Sequence, residues 1–596
     1  NRHSHGAPQR AVRMNGAHAV VTPAPPLWRI DAWRHSMNYL RLAGAALAML
    51  ALAACATDAT QAPPAAGAPA RFEHFTYDGK AQETVAPAPG QYRNPILSGY
   101  YPDPSVVRVG ADYYLINSSF TNYPGIPVFH STDLTSWRQI GNAISRPSQF
   151  DFKALSSSRG IYAPDISYHD GLFYIVTTCV GCAGNVVMTA TDPAGPWSDP
   201  TVLGFEGIDP SLFWDADGKA YVVNNGDPRE APRYDGHRAI WIQQFDPATR
   251  TMVGARTRLV NGGVDISKKP IWIEGPHLLK RDNYYYLIAA EGGTGEQHSE
   301  VVLRATSVRG PYTPFDHNPI LSQRQLDPAR AHPVTAAGHA KFVQTQQGDW
   351  WAVFLAVRPY APDQWNIGRE TFLLPVTWRD GWPSVLDEGK PIPFALAKPN
   401  LPAPARPSAP LSGDFGYTDD FTGNTLSPAW IGVRTPRAPL YAIERGALVL
   451  APAGRLGELQ DTPAFVARRQ QHHVASIATT VTYRPRHDGD RAGLVAYQSD
   501  ESYLFFGVTR IDGRDVVALY LRAKSAQDVL VASAPLAADR VTLAMHADGG
   551  RMRFDYTVGA QSIQLASDID ISFLSTRKAG GFTGTVIGPY TWQAPR

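Results

Sequence analysis

Between Asn94 and Pro393 the chain repeats one arrangement of polar and apolar positions five times. Each repeat opens on a short polar signature: Asp103-Pro104-Ser105, Asp165-Ile166-Ser167, Asp209-Pro210-Ser211, Glu274-Gly275-Pro276-His277 and His339-Ala340-Lys341. An apolar run of strand length follows, then a polar turn, then a second run rich in aromatic residues. The turns carry Gly110-Ala111-Asp112, Asp170-Gly171, Asp217-Gly218, Arg281-Asp282-Asn283 and Gly348-Asp349. Short apolar runs bounded by such turns predict hairpins. The starts lie roughly 45 to 65 residues apart, the spacing of β-propeller blades.

The pattern changes after a Pro-rich stretch at 398–410. Val541, Leu543 and Met545 alternate with polar residues, Asp548-Gly549-Gly550 turns, and Met552, Phe554, Tyr556 and Val558 alternate again. That predicts a hairpin with one buried face. Similar patterning from Leu494 to Arg522, around a turn at Asp512-Gly513, argues for a β-sandwich. No helical period of useful length appears. The fold class expected is all-β: a five-bladed β-propeller at 92–397, a linker at 398–412 and a β-sandwich at 413–596.

The N-terminal part predicts an address rather than a core. Leu42 to Ala54 is an apolar stretch too short to span a bilayer as a helix. It ends at Leu52-Ala53-Ala54-Cys55, which resembles the lipobox of bacterial lipoproteins. Residues 37–55 are therefore expected to be a lipoprotein signal with Cys55 lipidated, placing the protein in the bacterial cell envelope at the outer membrane, or otherwise in the periplasm. Residues 56–91 are expected to be an Ala/Pro-rich tether, and residues 1–36 upstream sequence translated in error ahead of Met37.

Composition narrows the function. Only 18% of residues are charged and the net charge is +2, with no basic block, which excludes nucleic acid as a partner. The membrane is reached only through the lipid, and a homo-oligomer stays open. Three cysteines give no disulfide framework. Cys179 and Cys182 form a small-loop disulfide or stay as two thiols. The 14 Trp and 26 Tyr suit both core packing and the apolar faces of sugars.

Blade starts face a common axis, so acids at those starts converge. Packing gives no reason to gather like charges. Inverting glycoside hydrolysis does, since it needs two carboxyl groups about 6.5–9.5 Å apart across the scissile bond. One must stay protonated, and a third carboxylate can hold that proton in place by repulsion. Asp103, Asp209 and Glu274 fit these roles.

Asn94-Pro95-Ile96-Leu97 through Tyr101-Pro102-Asp103-Pro104-Ser105, then Gly207-Ile208-Asp209-Pro210-Ser211 and Ile273-Glu274-Gly275-Pro276, resemble glycoside hydrolase family 43, a family of five-bladed propeller enzymes. The resemblance extends to Gly338-His339-Ala340 and Gly368-Arg369-Glu370-Thr371. Residues 413–596 resemble the concanavalin-like sandwich of the family's β-xylosidases. The resemblance implies Asp103 as general base, Glu274 as general acid and Asp209 as the residue that tunes and orients Glu274. It further implies that Arg369 contacts the terminal sugar, that His339 lines the channel floor, and that Phe120 and Tyr162 wall the pocket. Tyr162 stands where the family usually has Trp. Asp165 is implied to be structural, and Trp137 reads as blade packing. No cofactor is expected, although a divalent cation near His339 stays open. The activity expected is exo-hydrolysis of terminal β-1,4-xylosyl units from oligosaccharides, with α-L-arabinofuranosyl release as the alternative and a non-catalytic sugar-binding lipoprotein behind both.

Overall fold

The computed structural model describes residues 68–406 and 408–596. The expected upstream segment, the signal, Cys55 and tether residues 56–67 lie outside the described residues.

Five antiparallel sheets form in sequence order, each of four strands except the fourth, to which the short strand Leu321–Ser322 adds a fifth. Blade 1 runs from Ser105–Val109 to Arg138–Ile144 and blade 2 from Gly160–His169 to Thr201–Val202. Blade 3 runs from Ile208–Trp214 to Thr251–Asn261. Blade 4 runs from Glu274–Arg281 to Thr313–Pro314, and blade 5 from Thr335–Gln344 to Trp382–Ser384. Each gap between blades has its own apolar filling. Ile116, Val128, Ile166 and Val186 fill the gap between blades 1 and 2. Ile288, Val302, Phe354 and Phe372 fill that between blades 4 and 5. Blade 5 meets blade 1 through Leu115, Phe129, Trp137, Val353 and Leu373. Closure is polar as well. Asn94 donates to the Leu373 carbonyl at 2.8 Å and accepts from its N–H at 2.9 Å.

The sandwich has two sheets around one core that includes Phe72, Phe75, Ile477, Leu494, Phe506, Leu543 and Phe554. The hairpin Arg540–Asp548 and Arg551–Val558 alternates buried and less buried residues, as the pattern predicts. Arg491–Ser499 and Ser502–Ile511 instead are buried along almost their whole length. One face of these strands fills the sandwich core. On the other, Val495, Tyr497, Tyr503 and Phe505 pack with Tyr100 and Phe120 of the propeller.

The expected tether at 56–91 needs correction. Ala70–Lys80 is a strand inside the sandwich, between Leu448–Leu450 and Val474–Thr482. A bulge between Phe72 and Phe75 breaks the two-residue alternation, so the buried residues Phe72, Phe75 and Tyr77 do not read as a strand in sequence. Glu83 then sews the following coil to the propeller, pairing with Arg93 at 3.0 Å and Arg358 at 2.9 Å. The chain enters the sandwich, builds the propeller and returns to the sandwich.

Candidate active site

A bulge in the first strand of blades 2 to 5 sets the direction of the functional side chains. In blade 3, Ile208 pairs with Asn225 and Ser211 with Val223, so one extra residue sits on the first strand. Blade 4 repeats this between Glu274 and His277, blade 2 between Tyr162 and Asp165, and blade 5 between Gly338 and Lys341. The residue at the bulge has positive φ each time: Ala163 (30°), Asp209 (53°), Gly275 (55°) and His339 (56°). Asp103 in blade 1 has the same conformation at 52°. A bulge re-aims a side chain that the pleat would otherwise hold against a neighbouring blade.

This register corrects the expected phase. Asp103, Asp209 and His339 are equivalent, but Ala163 and not Asp165 matches them in blade 2. Glu274 stands one residue earlier, because Gly275 holds the bulge. A Cβ on Gly275 would lie 2.8 Å from the His339 ring. The glycine lets the histidine approach and adopts a φ that other residues resist.

Asp103 is held from several sides. Arg369 donates to its two oxygens at 2.9 and 3.4 Å, and the Ser118 hydroxyl donates at 2.6 Å. His339 Nδ1 lies 3.6 Å away. Burial raises the Asp103 pKa, but Arg369, then His339 and Ser118, outweigh it and leave the carboxyl below its ordinary value. Glu274 has the opposite setting. Burial first, then the charges of Asp209 and Asp103, push it well above the ordinary value. No hydrogen bond among the described residues engages its carboxyl. Asp209 accepts from the Gly275 N–H at 3.1 Å. It is raised by burial and by Asp103, against the pull of His339. The site thus combines an ionised carboxylate beside a guanidinium with a protonated carboxyl facing two acids.

Two residues further along the same strands lies a second ring: Ser105, Asp165, Ser211, His277 and Lys341. The Lys341 ammonium pairs with Asp165 and donates to Ser105 at 3.0 Å and to the Ile166 carbonyl at 2.8 Å. Asp165 also accepts from Ser105 at 2.9 Å and from the Leu212 N–H at 3.0 Å. Burial lowers the His277 pKa to about 3, which leaves a neutral ring 3.6 Å from Asp165. Asp165 is therefore bound up within the fold.

The wall is aromatic and shared between domains. Phe120 is 1% exposed, wedged between Tyr100 and Phe582 with centroids at 6.0 and 6.1 Å. It backs the wall rather than facing the pocket. Tyr162 and Phe582 are half-buried and meet edge to face at 5.8 Å. The Arg369 guanidinium lies 5.6 Å from the Phe582 ring. Phe582 belongs to the sandwich, and no local pattern in the sequence marks it as part of the pocket. Ser158 Oγ accepts from the Phe582 N–H at 2.9 Å, and a Cβ on Gly581 would stand 2.1 Å from that oxygen. A glycine before the aromatic therefore permits the docking.

Among the described residues no group of three or more His, Cys, Asp or Glu side chains is arranged to hold a metal ion. Cys179 and Cys182 are joined in a disulfide in blade 2, and Trp137 is buried in the blade 5–1 filling.

The model of the glycosyl hydrolases family 43 matches residues 92–383, and that of the beta xylosidase C-terminal concanavalin A-like domain matches residues 418–595. A non-reducing end alpha-L-arabinofuranosidase of Bacteroides ovatus is 36% identical over 516 residues, 85% of this chain and 92% of its own. A xylosidase/arabinosidase of Butyrivibrio fibrisolvens is 35% identical, with 83% and 95% covered. The solved structure of a GH43_12 retrieved from capybara gut metagenome superposes with a TM-score of 0.81 at 38% identity, covering 88% of this chain and 99% of that one.

Proposed function

Because the chain belongs to glycosyl hydrolase family 43, we propose that its pocket removes terminal β-1,4-xylosyl residues from xylo-oligosaccharides with inversion. The opposed settings of Asp103 and Glu274 carry this reading. Asp103, kept ionised by Arg369, takes a proton from water. The water oxygen bonds to the anomeric carbon while the bond to the glycosidic oxygen breaks on the opposite face. Glu274 gives its proton to that leaving oxygen. Asp209 does not react. Its neighbouring charge keeps the proton on Glu274, and its bond to the Gly275 N–H braces the backbone beside the acid. Arg369, His339, Tyr162 and Phe582 surround the terminal sugar, and no step needs a metal.

Release of α-L-arabinofuranosyl groups is the second reading. The Bacteroides ovatus relative is named for it, and the Butyrivibrio fibrisolvens relative is named for both activities. Tyr162, in place of the usual Trp, alters the surface that would grip the sugar. A purely sugar-binding role finds no support. The test compares aryl β-xyloside with aryl α-L-arabinofuranoside and follows the first-formed anomer by NMR. Faster xyloside cleavage giving α-xylose first is expected; β-xylose first, or cleavage of neither, contradicts the proposal.

We also propose that Cys55 is lipidated and anchors the enzyme to the cell envelope, on the strength of Leu52-Ala53-Ala54-Cys55. Cells expressing the chain from Met37 should hold it in membranes, and Cys55→Ala should release it. Equal soluble periplasmic amounts of both forms would contradict the anchor.

A further inference from the structure

The segment leading into Glu274 takes no part in the chemistry above, yet it is the most exposed apolar surface near it. Ile271 and Trp272 are 49% and 36% exposed, and Trp272 is the one aromatic among the exposed large hydrophobics of the described residues. Trp272 has φ 49°, an unfavourable conformation for a bulky side chain. Such outliers persist where the surroundings enforce them, and they cluster at functional sites. Here the surroundings do enforce it. The Trp272 N–H donates to the Gly236 carbonyl and the Ile271 carbonyl accepts from the Gly292 N–H, both at 2.9 Å.

Gly236 and Gly292 lie in the loops between the second and third strands of blades 3 and 4. Antiparallel pairing of Ile208 with Asn225 and of Glu274 with Ala290 places those loops at the same end of the blades as Asp209 and Glu274. Arg238 joins the group. Its guanidinium stands 4.5 Å from the indole centroid, and it donates to Asn225 Oδ1 at 3.0 and 2.8 Å. Asn225 in turn donates to the Ile273 carbonyl at 2.6 Å. The negative charges of Glu274 and Asp209 both act on Arg238. An exposed indole, a braced guanidinium and the acid's own strand therefore form one unit.

We propose that Trp272, supported by Arg238, forms the subsite that holds the leaving-group sugar. This rests on the glycosidase reading of the pocket. The acid must reach the glycosidic oxygen, so the departing sugar lies on the Glu274 side of the scissile bond. A pyranose offers an apolar C–H face that stacks on an exposed indole, and its hydroxyls accept from a guanidinium. Tyr162 and Phe582 stand instead with Arg369, which grips Asp103, and belong to the retained sugar. Trp272 thus selects what the terminal residue is attached to, while the aromatic wall selects the terminal residue itself.

The test uses full-length enzyme and two substrates with the same terminal sugar: the disaccharide, and the matching glycosyl fluoride, whose leaving group is too small to reach Trp272. Trp272→Ala is expected to lose roughly tenfold in kcat/KM on the disaccharide and to stay within about twofold on the fluoride. Inhibition by the free monosaccharide should not change, and Trp272→Phe should recover most of the disaccharide rate. Equal losses on both substrates, or an undiminished disaccharide rate in either folded variant, overturns the subsite. A wild-type enzyme that cleaves neither xylosyl nor arabinofuranosyl substrates overturns the glycosidase reading itself, and the subsite with it.

Discussion

Two rings of polar side chains lie two residues apart on the same five strands, and they treat charge in opposite ways. In the upper ring Asp103, Asp209 and the adjacent Glu274 crowd together, with Arg369 bound to only the first of them. In the lower ring Asp165 meets Lys341, Ser105 and a backbone N–H, and its two oxygens are occupied. The carboxyls of both rings are buried. Burial alone therefore does not distinguish a working acid from a structural one. The difference is the balance of charge: three carboxyls share one guanidinium in the upper ring, while the single carboxylate of the lower ring has an ammonium of its own. Crowded carboxyls push one another's proton affinity up, so one of them can hold a proton for the substrate.

The comparison breaks most visibly under truncation. Asp103→Ala should lower kcat by a factor on the order of a thousand or more on every substrate, because water loses its base. A variant that keeps a tenth of wild-type activity would remove Asp103 from that role. Glu274→Ala should fail selectively. Loss on xylobiose should exceed loss on an activated aryl glycoside by roughly a hundredfold, because a phenol departs with little protonation. Equal losses on both, measured as kcat, would count against Glu274 as the acid.

The lower ring should respond in the other currency. Lys341→Met leaves Asp165 buried without its cation, and breaking such a pair typically removes about 3–5 kcal/mol of stability. Denaturant unfolding should show that loss, while kcat per folded molecule falls far less than in Asp103→Ala. A Lys341→Met protein of unchanged stability would erase the distinction between the rings.

Much of this was legible in the chain. The five signatures place the blades, and Asp103, Asp209 and Glu274 stand out because acids recur where packing has no use for them. What escaped had two physical causes. The first is the bulge. One extra residue shifts the phase, so Asp165 reads as the equivalent of Asp103 although Ala163 is, and the strand Ala70–Lys80 reads as tether. The second is long-range contact. Lys341 finds Asp165 across 176 residues, and Phe582 reaches Tyr162 from another domain. No local pattern encodes either pairing. The strand at 70–80 also changes what can be asked of the sandwich. Removing 413–596 would leave Phe72, Phe75 and Tyr77 without their partners, so such a deletion tests folding before it tests activity.

The smallest expected effect addresses the central claim most directly: that the crowding of the upper ring sets the proton on Glu274. Asp103 is held below its ordinary pKa, so its basic form persists as pH falls. Glu274 is held above its own, so its acid form persists as pH rises. The activity window lies between the two, and Asp209 contributes to the upper edge through its charge. Asp209→Asn removes that charge and should lower the pKa of Glu274. The measurement is kcat/KM against pH for wild type and Asp209→Asn. The account predicts a basic limb that moves to lower pH in the variant. A basic limb that stays where it is, in a folded Asp209→Asn enzyme, would contradict it.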